Sequence, residues 1–222
     1  MKDVLKRAVL ATLPVMTGYL VLGFGFGMLM RSAGFGVGLS VAMSLFIYAG
    51  SMQYAAVGLM TGGASLLTVA LTTLMVNARH LFYGVSMLER YRGTGLRKPY
   101  LIFSLTDETY SLLCAGKDQG KDFRLLVSVL DHGYWVLGTL LGAVTGALLP
   151  IPTQGIEFAL TALFLTVFLE QWLAGEDHGP ALIGVGVSVA CLAVFGSDRF
   201  LIPAMVIIGG LLCFYQEDRR DG

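Results

Sequence analysis

Residues 72–88 read TTLMVNARHLFYGVSML. The run is apolar enough to enter a bilayer, yet Asn77, Arg79 and His80 stand in its middle. A guanidinium keeps its charge at any physiological pH. Insertion scales put the cost of burying it at a bilayer centre at about 2.5–3.5 kcal/mol. Such a charge is tolerated where it faces a protein interior or a wet cavity and meets an anionic or carbonyl partner. Two readings follow: Arg79 staples two helices together, or it lines a solute path. Both require the rest of the chain to supply its partner.

Towards the N-terminus, no residue between Arg31 and Arg79 is charged. That leaves room for two helices of about 20 residues, with Thr61-Gly62-Gly63 as the turn between them. The first, roughly 35–60, carries Tyr48-Ala49-Gly50-Ser51-Met52-Gln53-Tyr54 at its centre. Small residues beside a hydroxyl and an amide let a backbone open and satisfy itself internally. Equally, they form a packing face with Gln53 bonded to a neighbouring helix. Residues 8–30 are uncharged and contain Pro14, Gly18, Gly23, Gly25 and Gly27. This segment is too long for the apolar core of a signal peptide, and Gly23 with Gly27 suits close helix approach.

Towards the C-terminus comes the basic stretch 89–98, then residues 99–116, split by Thr106-Asp107-Glu108-Thr109. Two carboxyls inside a short apolar run predict a re-entrant or broken segment. Helical neighbours point about 100° apart, so Asp107 and Glu108 are expected to meet different partners. Residues 125–149 carry a ridge of Gly138, Gly142 and Gly146, with Asp131-His132 near the start, where water is expected. Three further segments follow: 155–174, with Glu157 and Glu170 near its ends, then 180–196 and 199–215. LPVMTGYLVLG near the start echoes IPAMVIIGGLL near the end only faintly, and no clearer inverted repeat emerges. If 99–116 is re-entrant, ten basic residues fall on one side and four on the other. The positive-inside rule prefers that arrangement. It predicts an all-α polytopic membrane protein of one domain, residues 1–222. About seven transmembrane helices are expected, with the N-terminus outside and the C-terminus in the cytoplasm.

Composition agrees with a membrane setting. The chain of 222 residues is 55% hydrophobic and only 14% charged, with a mean hydropathy of +0.73. Soluble domains carry about 25% charged residues. Fifteen basic and fifteen acidic residues balance, which argues against a nucleic-acid partner. Cys114, Cys191 and Cys213 lie in apolar stretches without ligand spacing, so neither a metal nor another cofactor is expected. No His-Glu-x-x-His occurs, and Ser51 lacks the second glycine that shapes a nucleophile turn, so an enzyme is not expected. A selective channel would want rings of carbonyls or like charges.

The polar residues expected at depth suggest a clamp for a zwitterion. Arg79 would pair with Asp107 or Glu108, and a solute carboxylate would compete for Arg79 or for free backbone N–H groups. The solute ammonium would meet a carboxyl, and the second carboxyl or His80 would carry a coupling proton. The competing reading is an accessory or scaffold subunit with no substrate site of its own.

The set Pro14…Gly18-Tyr19, Tyr48-Ala49-Gly50-Ser51-Met52-Gln53-Tyr54, Val76-Asn77-Ala78-Arg79-His80, Thr106-Asp107-Glu108 and Glu157 through Phe164 resembles the AzlC/YgaZ-type branched-chain amino acid exporters. Glu157 stands where relatives often have an aspartate. The resemblance implies export of valine, leucine, isoleucine and similar solutes across the bacterial cytoplasmic membrane. It further implies a small AzlD/YgaH-type membrane subunit as partner. A glycine ridge, at 23/27 or at 138/142/146, would be available to face such a chain. The candidate site residues are therefore Gly50, Ser51, Gln53, Asn77, Arg79, His80, Asp107, Glu108 and Glu157.

Overall fold

Two long helices in parallel form the spine of the N-terminal part of this computed structural model: α1 (Lys2–Ser32) and α7 (Lys121–Leu148). The structure describes residues 2–115, 120–149, 177–196 and 200–218, with 165, 168, 169, 172 and 173. It divides into two units, Met1–Leu160 and Thr161–Gly222. All regular elements among the described residues are helical.

Small residues set the α1–α7 contact. A Cβ added at Gly23 would sit 2.7 Å from the Trp135 carbonyl oxygen, and one at Gly138 2.8 Å from that of Leu20. At Gly27 and Gly142 it would overlap the facing backbone outright. The two glycine ridges of the sequence thus turn towards each other, and neither is left over for a second chain. The pairing is parallel along its whole length. Arg7 lies over the Phe123 ring at 5.6 Å, the Thr12 and Tyr134 hydroxyls are 3.3 Å apart, and Gly146 meets the stem of Arg31.

Between them the chain enters the interior twice without crossing it. Helix α2 (Val37–Phe46) starts beside the C-terminal end of α1, and α3 (Gly50–Thr61) follows after a tight turn. The Gln53 amide donates to Ser44 Oγ at 3.1 Å, whereas nine residues of unbroken helix would separate them by about 13 Å. Gly50 lies against Trp135, while Tyr54 donates to the Leu22 carbonyl at 2.6 Å and packs on Phe26. The chain has therefore reversed towards the end it came from. At the turn Tyr48 takes φ +44°, a left-handed conformation that a bulky side chain avoids at a cost of about 1–3 kcal/mol. Its buried ring is held by Tyr19, Phe103 and His132.

Helix α4 (Leu66–Ser86), capped by Ser65 accepting from the Thr68 amide, runs back to the opposite end. A 3-10 turn (Gly95–Arg97) leads to α5 (Lys98–Phe103) and α6 (Asp107–Ala115). Leu101 and Leu113, one from each short helix, share a core with Ala8, Met87, Tyr91, Phe123 and Val127. Both ends of this second hairpin are thus at the N-terminal end of α1, and its tip at 104–106 reaches Tyr19, midway along α1.

Residues 99–115 form the broken segment expected over 99–116 from its carboxyls. The single helix expected over 35–60 is instead the first hairpin, α2 and α3. Being uncharged and long enough to span, it carried no penalty that marked the break. The break also decides which basic residues lie together. Lys2, Lys6 and Arg7 share one end of this unit with Arg90, Arg92, Arg97, Lys98, Lys121 and Arg124, and Arg31 stands at the other. Local bonds tie that basic end: Arg124 donates to the Arg90 carbonyl, Arg90 to that of Leu113, and Arg97 meets Asp122.

The second unit contains α8 (Gly179–Phe195) and α9 (Leu201–Asp218), packed on each other. The Tyr215 hydroxyl donates to Asp177 Oδ1 at 3.0 Å, and the Trp172 and His178 rings stack at 4.0 Å.

Candidate functional site

The two hairpin tips meet in the middle of the N-terminal unit, and α4 passes beside them. Arg79 Nη2 lies 2.8 Å from Asp107 Oδ2, the first residue of α6. It also donates to Ser51 Oγ, in the first turn of α3, at 3.2 Å. One cation therefore joins α4 to the start of a half-helix from each hairpin. Its side chain is 33% exposed and that of Asp107 34%, so the pair is accessible. Arg79 Nε and Asp107 Oδ1 have no hydrogen-bond partner among the described residues. Buried polar atoms are normally satisfied, so these two represent unused bonding capacity on either side of the ion pair.

Glu108 faces elsewhere. The Tyr19 hydroxyl of α1 donates to Glu108 Oε2 at 2.6 Å and is 2.6 Å from Thr106 Oγ1. Thr106 donates to Thr109 Oγ1 at 3.1 Å, and Thr109 donates to Asp131 Oδ2 at 2.8 Å. Asp131 is fully buried. Water was expected beside it, but α7 begins at Lys121, which puts Asp131 almost three turns inside the helix.

Gln53 belongs to neither group. Its carbonyl accepts from Trp135 Nε1 at 3.0 Å, its amide donates to Ser44, and Ser44 meets Thr139 Oγ1 at 2.8 Å. This is the bond to a neighbouring helix that one reading of the sequence allowed, coexisting with the opened backbone of the other. Gly50 gives room for the Trp135 ring, which a Cβ would approach to 2.9 Å. His80 makes its contacts on its own helix, with Nδ1 3.2 Å from the Asn77 carbonyl oxygen and the ring 5.7 Å from that of Tyr83. Asn77 is half-buried on the same helix. Glu157 lies outside the described residues.

Four residues of this centre are not among the candidate site residues of the sequence: Tyr19, Thr106, Thr109 and Asp131. A carboxyl within an apolar helix was the available signal for Asp131. No group of three or more His, Cys, Asp or Glu side chains that could hold a metal ion occurs among the described residues. Helices α1 and α7 are long and apolar enough to cross a membrane.

The family model described as AzlC protein matches residues 14–149, the stretch that holds both hairpins and α7. The chain is 44% identical over 206 residues to the branched-chain amino acid transport protein AzlC of Bacillus subtilis, covering 90% of this chain and 81% of the relative. It is 42% identical over 216 residues to an uncharacterized membrane protein of Helicobacter pylori, with 96% and 95% covered. The inner membrane protein YgaZ of Escherichia coli is 29% identical over 209 residues, with 91% and 84% covered. No solved structure matches the chain.

Proposed function

The chain belongs to the AzlC family of membrane proteins, and on that premise we propose that it exports branched-chain and similar apolar amino acids from the bacterial cytoplasm. The observation that carries this reading is the accessible Arg79–Asp107 pair at the starts of two half-helices. The N-terminus of a helix presents free amides and a partial positive charge to an anion. A substrate carboxylate entering here displaces Asp107 from Arg79 and meets the first turn of α3 beside Ser51. Its ammonium takes the released Asp107, with Glu108 adjacent. The charge count is unchanged by the exchange, so the substrate is held without leaving an unpaired charge at depth. Alternating access then amounts to moving one hairpin tip and then the other. The printed name of the Bacillus subtilis relative supports the substrate class; a small AzlD/YgaH-type membrane subunit remains the partner the family resemblance implies.

Nine basic residues gathered at the end that holds the N-terminus support placing that end in the cytoplasm. Together with the two half-spanning hairpins, this supports a cytoplasmic N-terminus over the arrangement with the N-terminus outside.

The test is uptake and efflux of labelled leucine and alanine in reconstituted vesicles, with and without the small subunit. The expected result is leucine flux that Arg79→Ala and Asp107→Asn each abolish. Leucine flux absent under every condition would favour the scaffold reading, and full activity in both variants would remove the site.

A further inference from the structure

The oxygens that run from Glu108 to Asp131 form an unbroken chain: Glu108 Oε2, Tyr19, Thr106, Thr109, Asp131 Oδ2, with separations of 2.6, 2.6, 3.1 and 2.8 Å. Four links are closed, but the three hydroxyls own three hydrogens. With both carboxyls ionised, one link has no hydrogen in it and two oxygens face each other bare. With one carboxyl protonated, every link is filled. Burial points the same way: Tyr19, Thr106, Thr109 and Asp131 are all buried. Among the described residues no Lys, Arg or His bonds to Asp131. An isolated carboxylate at such a position costs far more than the neutral acid.

We propose that Asp131 and Glu108 share a single proton through Tyr19, Thr106 and Thr109, and that this relay is the proton-handling site of the transporter. It rests on the transport reading above for its purpose, though not for its existence. The step balances without a co-reactant. The Asp131 O–H bond breaks as Thr109 takes that proton; Thr109 passes its own to Thr106, Thr106 to Tyr19, and Tyr19 to Glu108. One carboxylic acid and one carboxylate exist before and after, with the proton moved from α7 to α6. Glu108 adjoins Asp107 in sequence, so a proton arriving at Glu108 removes a negative charge next to the proposed ammonium site. That weakens the hold on substrate, and the reverse shift strengthens it.

The titratable groups around the relay come from every neighbouring element. Tyr19 faces it from α1, Tyr48 from the α2–α3 turn and Tyr100 from α5, while His132 sits beside Asp131 on α7. Arg79 and Asp107 flank Glu108 from α4 and α6. His132 is held by the Tyr100 hydroxyl at 3.1 Å and the Ser44 carbonyl at 3.2 Å. His80, with its contacts on α4, is outside the chain of oxygens. Of the two carriers expected from sequence, the second carboxyl or His80, the relay takes the carboxyl, Glu108, and adds Asp131.

Two measurements test this in the lipid-reconstituted protein with its subunit. The first compares leucine accumulation driven by an imposed pH gradient with leucine–leucine exchange at equal pH. Asp131→Asn and Thr109→Val are expected to lose the response to the gradient and keep exchange, while Thr109→Ser, which keeps the hydroxyl, retains both. A gradient response that survives in Asp131→Asn overturns the relay, and so does loss of exchange together with gradient drive in both Asp131→Asn and Thr109→Val. The second measurement is the infrared carbonyl band of a protonated carboxylic acid at neutral pH. It is expected in the unaltered protein, shifted in Thr109→Val and lost in Asp131→Asn. No such band in the unaltered protein overturns the proposal. If the unaltered protein moves no leucine at all, the transport reading fails while the infrared band still decides the relay.

Discussion

Arg79 and Asp107 are each about one-third exposed, so water screens part of their attraction and the pair contributes less than a fully buried one. Removing one partner still leaves the other charge short of a counter-ion in an apolar surround. Asp107→Asn alone is expected to lower stability by about 1–2 kcal/mol more than the double variant Arg79→Gln/Asp107→Asn; thermal unfolding in detergent reads the difference. Gln53 gives a second case. Gln53→Met keeps the volume but leaves the Trp135 indole N–H, which is buried, without an acceptor. The expected loss is about 1–3 kcal/mol in the same unfolding assay. Much at this scale was legible in the sequence. A cation inside an apolar run demands an anion, and the 100° step between helical neighbours separates Asp107, which meets Arg79, from Glu108, which meets Tyr19. What was not legible is which hydroxyls lie between Glu108 and Asp131, because Tyr19 and Asp131 come together only through the packing of α1 on α7.

At the level of the element, that packing makes its own prediction. Gly142 has the Phe24 backbone in the space of its missing side chain, whereas a Cβ at Gly84 on α4 meets nothing within 4 Å. Gly142→Ala must push two helices apart and is expected to cost about 1–3 kcal/mol. Gly84→Ala removes unfolded-chain freedom in a helix and is expected to stabilise by up to about 1 kcal/mol. Helical circular dichroism followed through thermal unfolding distinguishes the two. The glycine spacing announced close contact from sequence alone but not the partner, since small-residue ridges look the same whichever helix they face. The breaks differ in legibility for a physical reason. Asp107 and Glu108 made an unbroken span expensive, while the Tyr48-Ala49-Gly50 turn is built from residues that a span accepts. The sequence allows an opened backbone there, and the left-handed Tyr48 and the return of Gln53 to Ser44 make it a full reversal.

For the whole molecule, a re-entrant first hairpin would change the sidedness of everything before it. With Cys114, Cys191 and Cys213 replaced, single cysteines at Lys2→Cys, Ala64→Cys and Leu96→Cys separate the arrangements. Labelling with an impermeant thiol reagent is expected to find positions 2 and 96 on the cytoplasmic side and position 64 outside. A span over 35–60 would instead put position 2 with position 64. The charge rule depends on how many segments cross: with a full span over 35–60 it favours an outside N-terminus, and with a re-entrant hairpin there it favours a cytoplasmic one.

Each hairpin arm is short: α2 has 10 residues, a rise of about 15 Å, or roughly half an apolar bilayer core. On the transport reading, hairpins entering from opposite ends would let aqueous vestibules above and below approach one another until only their tips intervened. The Tyr48 and Phe103 rings stand at those tips, their centres 6.2 Å apart. The electric field and any solute gradient across the membrane would then fall over a septum of a few residues, so a sub-nanometre shift of one tip would be enough to hand a small molecule from one bath to the other.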